Sequence, residues 1–403
     1  MHQMTFTMRP IPQIGPIRFN TSAIKRLSMS DTQTNTSGLE GAYDTLHEFI
    51  KAAKMRTHPD AWDYLTGGTE TETTLRRNRA ALDRIALRPR VLRDVSSIDT
   101  TATFLGKRVR LPVMIGPVGG LGSFHDDAGK EVARGAGKFG APMMLSSVST
   151  QPLKEVSAQT NAPFIFQLYV RGDSDFIDRK VDEAREAGSD AFCMTVDTAV
   201  YSRRERDIAR RFKKPWRSGT LGQGMEFQAA LSWKEVERFK NKHDIPLILK
   251  GIGTSEDAMI AVEHGVDVIY VSNHGGRQLD HGRGSMDVLP EVLDAVGDKA
   301  KVIVDGSFSR GTDVVKAMAM GVEGVAIGRL YCYALSAAGH NGIVRMYEIL
   351  ENEIMSALGL LGASSYADLD ASHLHIGEPL VAQPGVFSAF PLLNLDDPGY
   401  GGR

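Results

Sequence analysis

From Leu111 onward the chain repeats one pattern eight times: a short apolar run, then a longer segment striped with charge. The runs are Pro112–Gly116, Pro142–Ser146, Phe164–Tyr169, Ala191–Asp197, Pro246–Lys250, Val268–Ser272, Val302–Asp305 and Val325–Gly328. Short apolar runs bounded by Gly, Pro and polar residues read as buried strands. The segments between them, such as Asp175–Ala187 and Ser255–His264, scatter Ala, Val and Ile among charged residues, as amphipathic helices do. Buried strands alternating with helices imply parallel pairing through crossover connections. Eight units predict an α/β fold closed into a (β/α)8 TIM barrel, because an open doubly wound sheet usually holds fewer units and needs a topological switch point.

Ahead of the barrel, Ala42–Lys54 and His58–Leu87 are expected as helices, an N-terminal helical cap over one end. After Asn341 the pattern is helical through Leu360, and a Pro/Gly-containing tail ends in Asp396–Arg403. The expected divisions are a flexible N-terminal extension (1–38), the barrel with its cap (39–374) and a C-terminal tail (375–403). The first thirty residues carry Arg9, Arg18, Lys25 and Arg26 but no acid, as a weak transit peptide would. Pro10, Pro12 and Pro16 would break the helix such a peptide needs, which favours a disordered tail or an upstream start codon, with translation from Met29. The interval between the fourth and fifth runs is about twice the others and contains the Gly- and Pro-bearing stretch Lys213–Gly224, expected as a lid or disordered segment.

A net charge of −2 gives no electrostatic reason to expect nucleic acid or an acidic membrane as partner. No apolar run is long enough to span a bilayer. Cys193 and Cys332 both lie in apolar runs, as buried thiols of a reducing compartment would, and the expected location is cytoplasmic.

The chemistry collects where the strands end. Val268–Val271 leads into Ser272-Asn273-His274-Gly275-Gly276-Arg277-Gln278-Leu279-Asp280. Two glycines there allow a tight turn and close approach to a flat ligand. Histidine takes a proton near neutral pH, and arginine grips a carboxylate with two parallel hydrogen bonds. A base beside such a clamp suits proton abstraction next to a carboxylate. The third run ends in Gln167 and Tyr169, the fourth in Thr195 and Asp197, the fifth in Lys250 and the seventh in Asp305. Alternate residues of a strand share a side, so these polar ends converge on one mouth, the face where barrels of this class keep their sites. Asp305-Gly306-Ser307-Phe308-Ser309-Arg310-Gly311 precedes a helix and Gly328-Arg329 follows the eighth run, as in a barrel phosphate pocket. The first run is followed by no GxGxxG, so a mononucleotide fits better than a nicotinamide dinucleotide.

The histidine string resembles the signature of the FMN-dependent α-hydroxy-acid oxidases and dehydrogenases, the family of glycolate oxidase, lactate oxidase, lactate monooxygenase and mandelate dehydrogenase. The likeness spans roughly Leu39 to Leu374. It includes Asp63-Tyr64 with Gly67-Gly68, Phe166-Gln167-Leu168-Tyr169, Thr195-Val196-Asp197-Thr198, Arg203-Arg204 and Lys250-Gly251. It implies a soluble enzyme that binds FMN and oxidises a small L-2-hydroxy acid to the 2-oxo acid, with the reduced flavin re-oxidised by dioxygen. By the same resemblance His274 is the base, Asp197 its orienting partner, and Tyr169 bonds the substrate hydroxyl. Arg204 and Arg277 grip the carboxylate, with Tyr64 as a third donor. Lys250 stabilises the reduced ring, while Val118, Gly119, Ser146, Gln167, Thr195 and Ser272 contact it. Asp305, Ser309, Arg310, Gly328 and Arg329 hold the ribityl phosphate. A homotetramer or octamer is implied.

Three departures from the family pattern alter the expectations. Ser307 and Ser309 stand where a Gly and an Arg are common, so one phosphate or ribityl contact is lost and FMN binds less tightly. Gly119 replaces an alanine and opens space beside the flavin's reactive nitrogen, as in dehydrogenase and monooxygenase members. Val148 replaces the tryptophan of glycolate oxidases, implying a differently shaped, roomier pocket. The short segment Lys213–Leu231 lacks a membrane anchor, and its Lys213, Lys214 and Arg217 form a solvated basic face. Two other functions stay open: the same half-reaction with a quinone or protein acceptor or a decarboxylating monooxygenase step, and an FMN-binding isomerase or redox-silent scaffold. The base with its clamp weighs against the scaffold.

Overall fold

The structure, a computed structural model, describes residues 37–214, 224–378 and 385–390. The extension before residue 37, the middle of the expected lid with Arg217, and most of the C-terminal tail lie outside the described residues.

Eight parallel strands close into a barrel. They are β1 (Val113–Ile115), β2 (Met143–Ser146), β3 (Phe164–Leu168), β4 (Ala191–Thr195), β5 (Leu247–Ile252), β6 (Val268–Val271), β7 (Lys301–Val304) and β8 (Gly324–Ile327). Each pairs with the next, and β8 pairs with β1 through Val325↔Val113. All eight expected runs are strands, with ends shifted by one or two residues. The main correction is at β5, which passes Lys250 and runs to Ile252 with an irregularity in its register at Gly251.

The two-residue period of the strands sorts their side chains into two cores. One alternate set, Met114, Met144, Ile165, Cys193, Ile248, Tyr270, Ile303 and Ala326, forms an inner cluster. Phe104 and Val109 from an antiparallel hairpin (Ala102–Phe104 with Lys107–Val109) pack onto that cluster. The other set, including Val113, Leu145, Phe166, Phe192, Leu249, Ile269, Val304 and Ile327, packs with the helices. Two residues beyond the apolar inner set, on the same side, come Ser146, Gln167, Thr195, Lys250, Ser272, Asp305 and Gly328. The inside of the barrel thus turns from apolar to polar toward the C-terminal ends of its strands.

The cap departs from expectation. Ala42–Lys54 corresponds to a helix at Leu46–Arg56, but His58–Leu87 is not one helix. It divides into Pro59–Thr66 and Thr73–Asp83 at Gly67-Gly68, and Ile85–Leu87 becomes a strand paired with Leu374–Ile376. Glycine is a poor helix former, and the space at Gly68 is taken: a Cβ there would stand 2.8 Å from the Gly276 carbonyl oxygen. The helix expected after Asn341 begins at Arg329, directly after β8, and reaches Leu361 with a kink at Ala338 and Gly339. The kink hid its first half from the periodic pattern.

One buried ion pair ties the cap to the barrel mouth. Arg79 of the cap donates to both carboxylate oxygens of Asp313, at 2.9 and 2.8 Å, and to the Ser307 carbonyl at 3.3 Å. Asp313 also accepts the Ser309 and Arg310 backbone N–H groups. Removing Asp313 leaves Arg79 with Asp83, at 2.8 Å, as its remaining carboxylate and takes the acceptor from the part-buried Ser309 and Arg310 N–H groups. Asp313→Ala is therefore expected to cost about 1–3 kcal/mol. Urea unfolding would read it as a lowered midpoint at unchanged slope, and an unshifted midpoint would contradict the assignment.

Candidate active site

The polar strand ends open into a cavity of about 1530 Å³, open solvent at its mouth included. His274 lines it, and Asp197 is in contact with the His274 ring. The imidazole Nδ1 lies 3.1 and 3.2 Å from the two Asp197 carboxylate oxygens, and Nε2 lies 3.1 Å from the Tyr169 hydroxyl. Asp197 accepts, so Nδ1 carries the proton and Nε2 is the basic nitrogen. His274 holds this pose in a left-handed conformation (φ 61), followed by Gly275 and Gly276 in the same region (φ 63 and 74). A non-glycine residue there is strained, and strain of this kind gathers at functional sites. Asp197 fits only because β5 bulges at Gly251, where a Cβ would stand 2.6 Å from the Asp197 Cβ.

Two arginines flank the Tyr64 ring, Arg277 at 4.5 Å and Arg204 at 6.0 Å from its centroid. Arg277 Nη1 donates to the carbonyls of Tyr64 and Gly67, at 2.5 and 3.0 Å, while its Nη2 is buried with no hydrogen-bond partner among the described residues. The Tyr64 hydroxyl donates to the Gly119 carbonyl at 3.2 Å. Lys250 Nζ, also at the cavity, donates to Ser272 Oγ at 3.0 Å and lies 3.8 Å from Asp305.

Burial, helped by the neighbouring Arg204, pushes the Arg277 guanidinium down to about 10. Burial and the Lys250 charge lower His274, and Asp197 pulls it back up in part. Against burial, the His274 and Lys250 charges hold the Asp197 carboxyl below the usual range. Burial raises the Tyr169 hydroxyl, so it stays protonated.

The residues singled out in the sequence divide by position. Tyr64, Val118, Gly119, Tyr169, Arg204, Lys250, His274, Arg277, Asp305, Ser309, Gly328 and Arg329 line the cavity. Ser146, Gln167, Thr195 and Ser272 are buried at their strand ends, with Gln167 Nε2 donating to Thr195 Oγ1 at 2.9 Å. Arg310 is the correction: its guanidinium is turned to Glu353, at 2.6 Å, and to the face of Phe390. An acid 43 residues away in sequence claims it, which local motif reading does not see. Tyr201, Tyr270, Gln278 and Tyr333 also reach the cavity and were missed. Strand parity with Ser272 marks Tyr270, and the i,i+4 helical spacing from Arg329 marks Tyr333.

The residues fit a flavin mononucleotide. Gln167 Oε1 and Ser307 Oγ are buried without partners among the described residues, and the Lys250 ammonium lies at the same cavity. Such orphaned groups are costly unless a ligand satisfies them.

Comparison with known proteins agrees with this geometry. A family model described as FMN-dependent dehydrogenase matches residues 53–376. An L-lactate oxidase of Nostoc sp. is 38% identical over 357 residues, 82% of this chain and 98% of that protein. A peroxisomal (S)-2-hydroxy-acid oxidase of Oryza sativa subsp. japonica is 39% identical over 348 residues, 82% of this chain and 95% of that one. A crystal structure of mandelate oxidase with (S)-2-phenylpropionate superposes with TM-score 0.77 at 36% identity, covering 84% of this chain and all of that one. A mandelate oxidase variant with a C4a-OH-FMN adduct gives 0.76 at 36% identity, covering 83% and 99%.

The space expected at Gly119 is not open. A Cβ built there would meet Val148 Cγ2 at 2.5 Å, so the valine methyl occupies the place of the missing one. The two departures are one packing solution, and Val148 does not simply enlarge the pocket. Gly119→Ala is expected to destabilise by about 1–3 kcal/mol through overpacking. Adding Val148→Ala should recover most of that loss, since residues in contact couple. A double-mutant cycle of thermal unfolding checks this, and strictly additive costs would refute it.

Proposed function

Because the chain belongs to the FMN-dependent dehydrogenase family, we propose that His274, Asp197, Tyr169, Arg204 and Arg277 carry out its oxidation of a 2-hydroxy acid. The enzyme is an FMN-dependent oxidoreductase acting on the CH–OH of 2-hydroxy acids, which it converts to 2-oxo acids. When bound, FMN supplies the two-electron acceptor. Gln167, Thr195, Lys250 and Ser272 would hold the ring, and Asp305, Ser309, Gly328 and Arg329 the ribityl phosphate arm. The observation that carries the assignment is the contact of one imidazole with Asp197 at one nitrogen and Tyr169 at the other, beside the buried Arg204 and the half-buried Arg277.

The substrate carboxylate enters between Arg204 and Arg277, where Arg277 Nη2 and the Arg204 guanidinium replace its water shell. A planar bidentate grip fixes orientation as well as charge. The substrate hydroxyl then lies within reach of Tyr169 and His274 Nε2. The imidazole takes the hydroxyl proton at Nε2 while Asp197, bonded to Nδ1–H, stabilises the imidazolium that forms. We assign the L configuration to the substrate and dioxygen as the acceptor; the oxidases among the relatives support both. Among the described residues, no helix is long and apolar enough to cross a membrane.

The pH dependence follows from the electrostatics. The base works only when neutral, and its burial and cationic neighbours lower its pKa. The acid limb of kcat/KM should therefore fall below the ordinary imidazole value of about 6.5. Asp197→Asn removes the one raising influence, so it should move that limb further down and slow the reaction. A limb at or above the ordinary value would contradict the assignment.

The function itself is tested by anaerobic mixing of the yellow protein with a panel of L- and D-2-hydroxy acids and their amides. Bleaching by L-acids alone, with colour and hydrogen peroxide returning on admission of air, is expected. Bleaching by the amides as readily as by the acids would remove the clamp, and no bleaching by any acid would remove the reading.

A further inference from the structure

We propose that the hydroxyls of Tyr333 and Ser307 bind the phosphate of the flavin, in place of the guanidinium missing at Ser309. The proposal rests on the FMN reading above and says how this chain completes that site.

The donors expected for a phosphate at this end of the cavity are already engaged. The Ser309 and Arg310 backbone N–H groups both donate to Asp313 Oδ2, at 3.0 and 3.1 Å. The N–H of Gly311, the first residue of the following helix, donates to Glu353 Oε2 at 2.7 Å. That helix N-terminus, the usual anion site of a barrel, is thus filled by the protein's own carboxylates. Arg310 faces Glu353 and Phe390. Arg329 spends Nε and Nη2 on the carbonyls of Leu65, Gly67 and Gly275, which anchors the cap and the histidine loop. Its charge still bears on the cavity.

The cavity-lining residues Thr198, Tyr270, Ser307 and Tyr333 have buried hydroxyls with no hydrogen-bond partner among the described residues. Of these, Ser307 lies in the loop after β7 and Tyr333 on the helix after β8, the two segments at this end. Tyr333 is 2% exposed, and its ring is held between Trp62 and Phe387 at 5.7 and 6.4 Å. A phenylalanine would pack as well there without leaving a buried hydroxyl unsatisfied, so the hydroxyl is retained at a cost that a ligand would repay. Ser307 is likewise kept in a left-handed conformation (φ 65) that glycine would adopt more easily. Val386 and Phe390 line the same cavity. Buried O–H donors beside a guanidinium bond an oxyanion more strongly than the same groups in water.

Riboflavin, which is FMN without its phosphate, provides the test. Full-length wild type, Tyr333→Phe and Ser307→Gly, each freed of flavin, are titrated with FMN and with riboflavin by flavin fluorescence, and thermal unfolding is followed for each. Each variant should bind FMN about tenfold more weakly while binding riboflavin within twofold of wild type, at an unfolding temperature no lower than that of wild type. Unchanged FMN affinity, or an equal loss for both flavins, would overturn the proposal while leaving the flavin site standing. A wild type that binds neither flavin would overturn the FMN reading, and the proposal with it.

Discussion

Everything in the proposed chemistry depends on the pairing of His274 with Asp197 inside the barrel mouth. The two residues lie in the loops that follow β4 and β6, and their contact needs three concessions from the backbone. β5 must bulge so that Gly251 leaves room for Asp197; His274 must take up a left-handed conformation; and Gly275 and Gly276 must follow it. Gly276 also lies so close to the cap that a Cβ there would stand 2.5 Å from the Leu75 backbone nitrogen. The cap therefore does more than cover the barrel. It holds the loop that holds the base.

The second constraint is charge. Arg204, Arg277, Arg329 and Lys250 gather around one cavity, with Asp197 and Asp305 as the nearby acids. Burial first, and then the like charge of Arg204, lowers the Arg277 guanidinium. Backbone carbonyls of the cap and of the histidine loop take part of that load. The remaining positive field is what an anionic substrate and an anionic cofactor neutralise on binding, so binding and stability are linked here.

The barrel and most of the site were legible in the sequence for one reason. A strand's two-residue period carries the inward set from Ile165 to Gln167, from Cys193 to Thr195 and from Ile248 to Lys250, so apolar runs with polar ends announce the site. What escaped was set by contacts distant in sequence. Arg310 reads as a phosphate ligand until Glu353 is brought to it, and Gly119 reads as open space until Val148 fills it. The cap segment His58–Leu87 reads as one helix until Gly67 and Gly68 are seen against Gly276. Tyr333 belongs to the same class, since its unpartnered hydroxyl appears only once Trp62 and Phe387 enclose the ring.

The most direct test of the central claim is single-turnover reduction of the bound flavin by an L-2-hydroxy acid in His274→Ala, measured anaerobically by stopped flow at saturating substrate. The account predicts full FMN content with a reduction rate lowered by about 10²–10⁴-fold or more. A variant that keeps its flavin and reduces it at close to the wild-type rate would show that His274 is not the base.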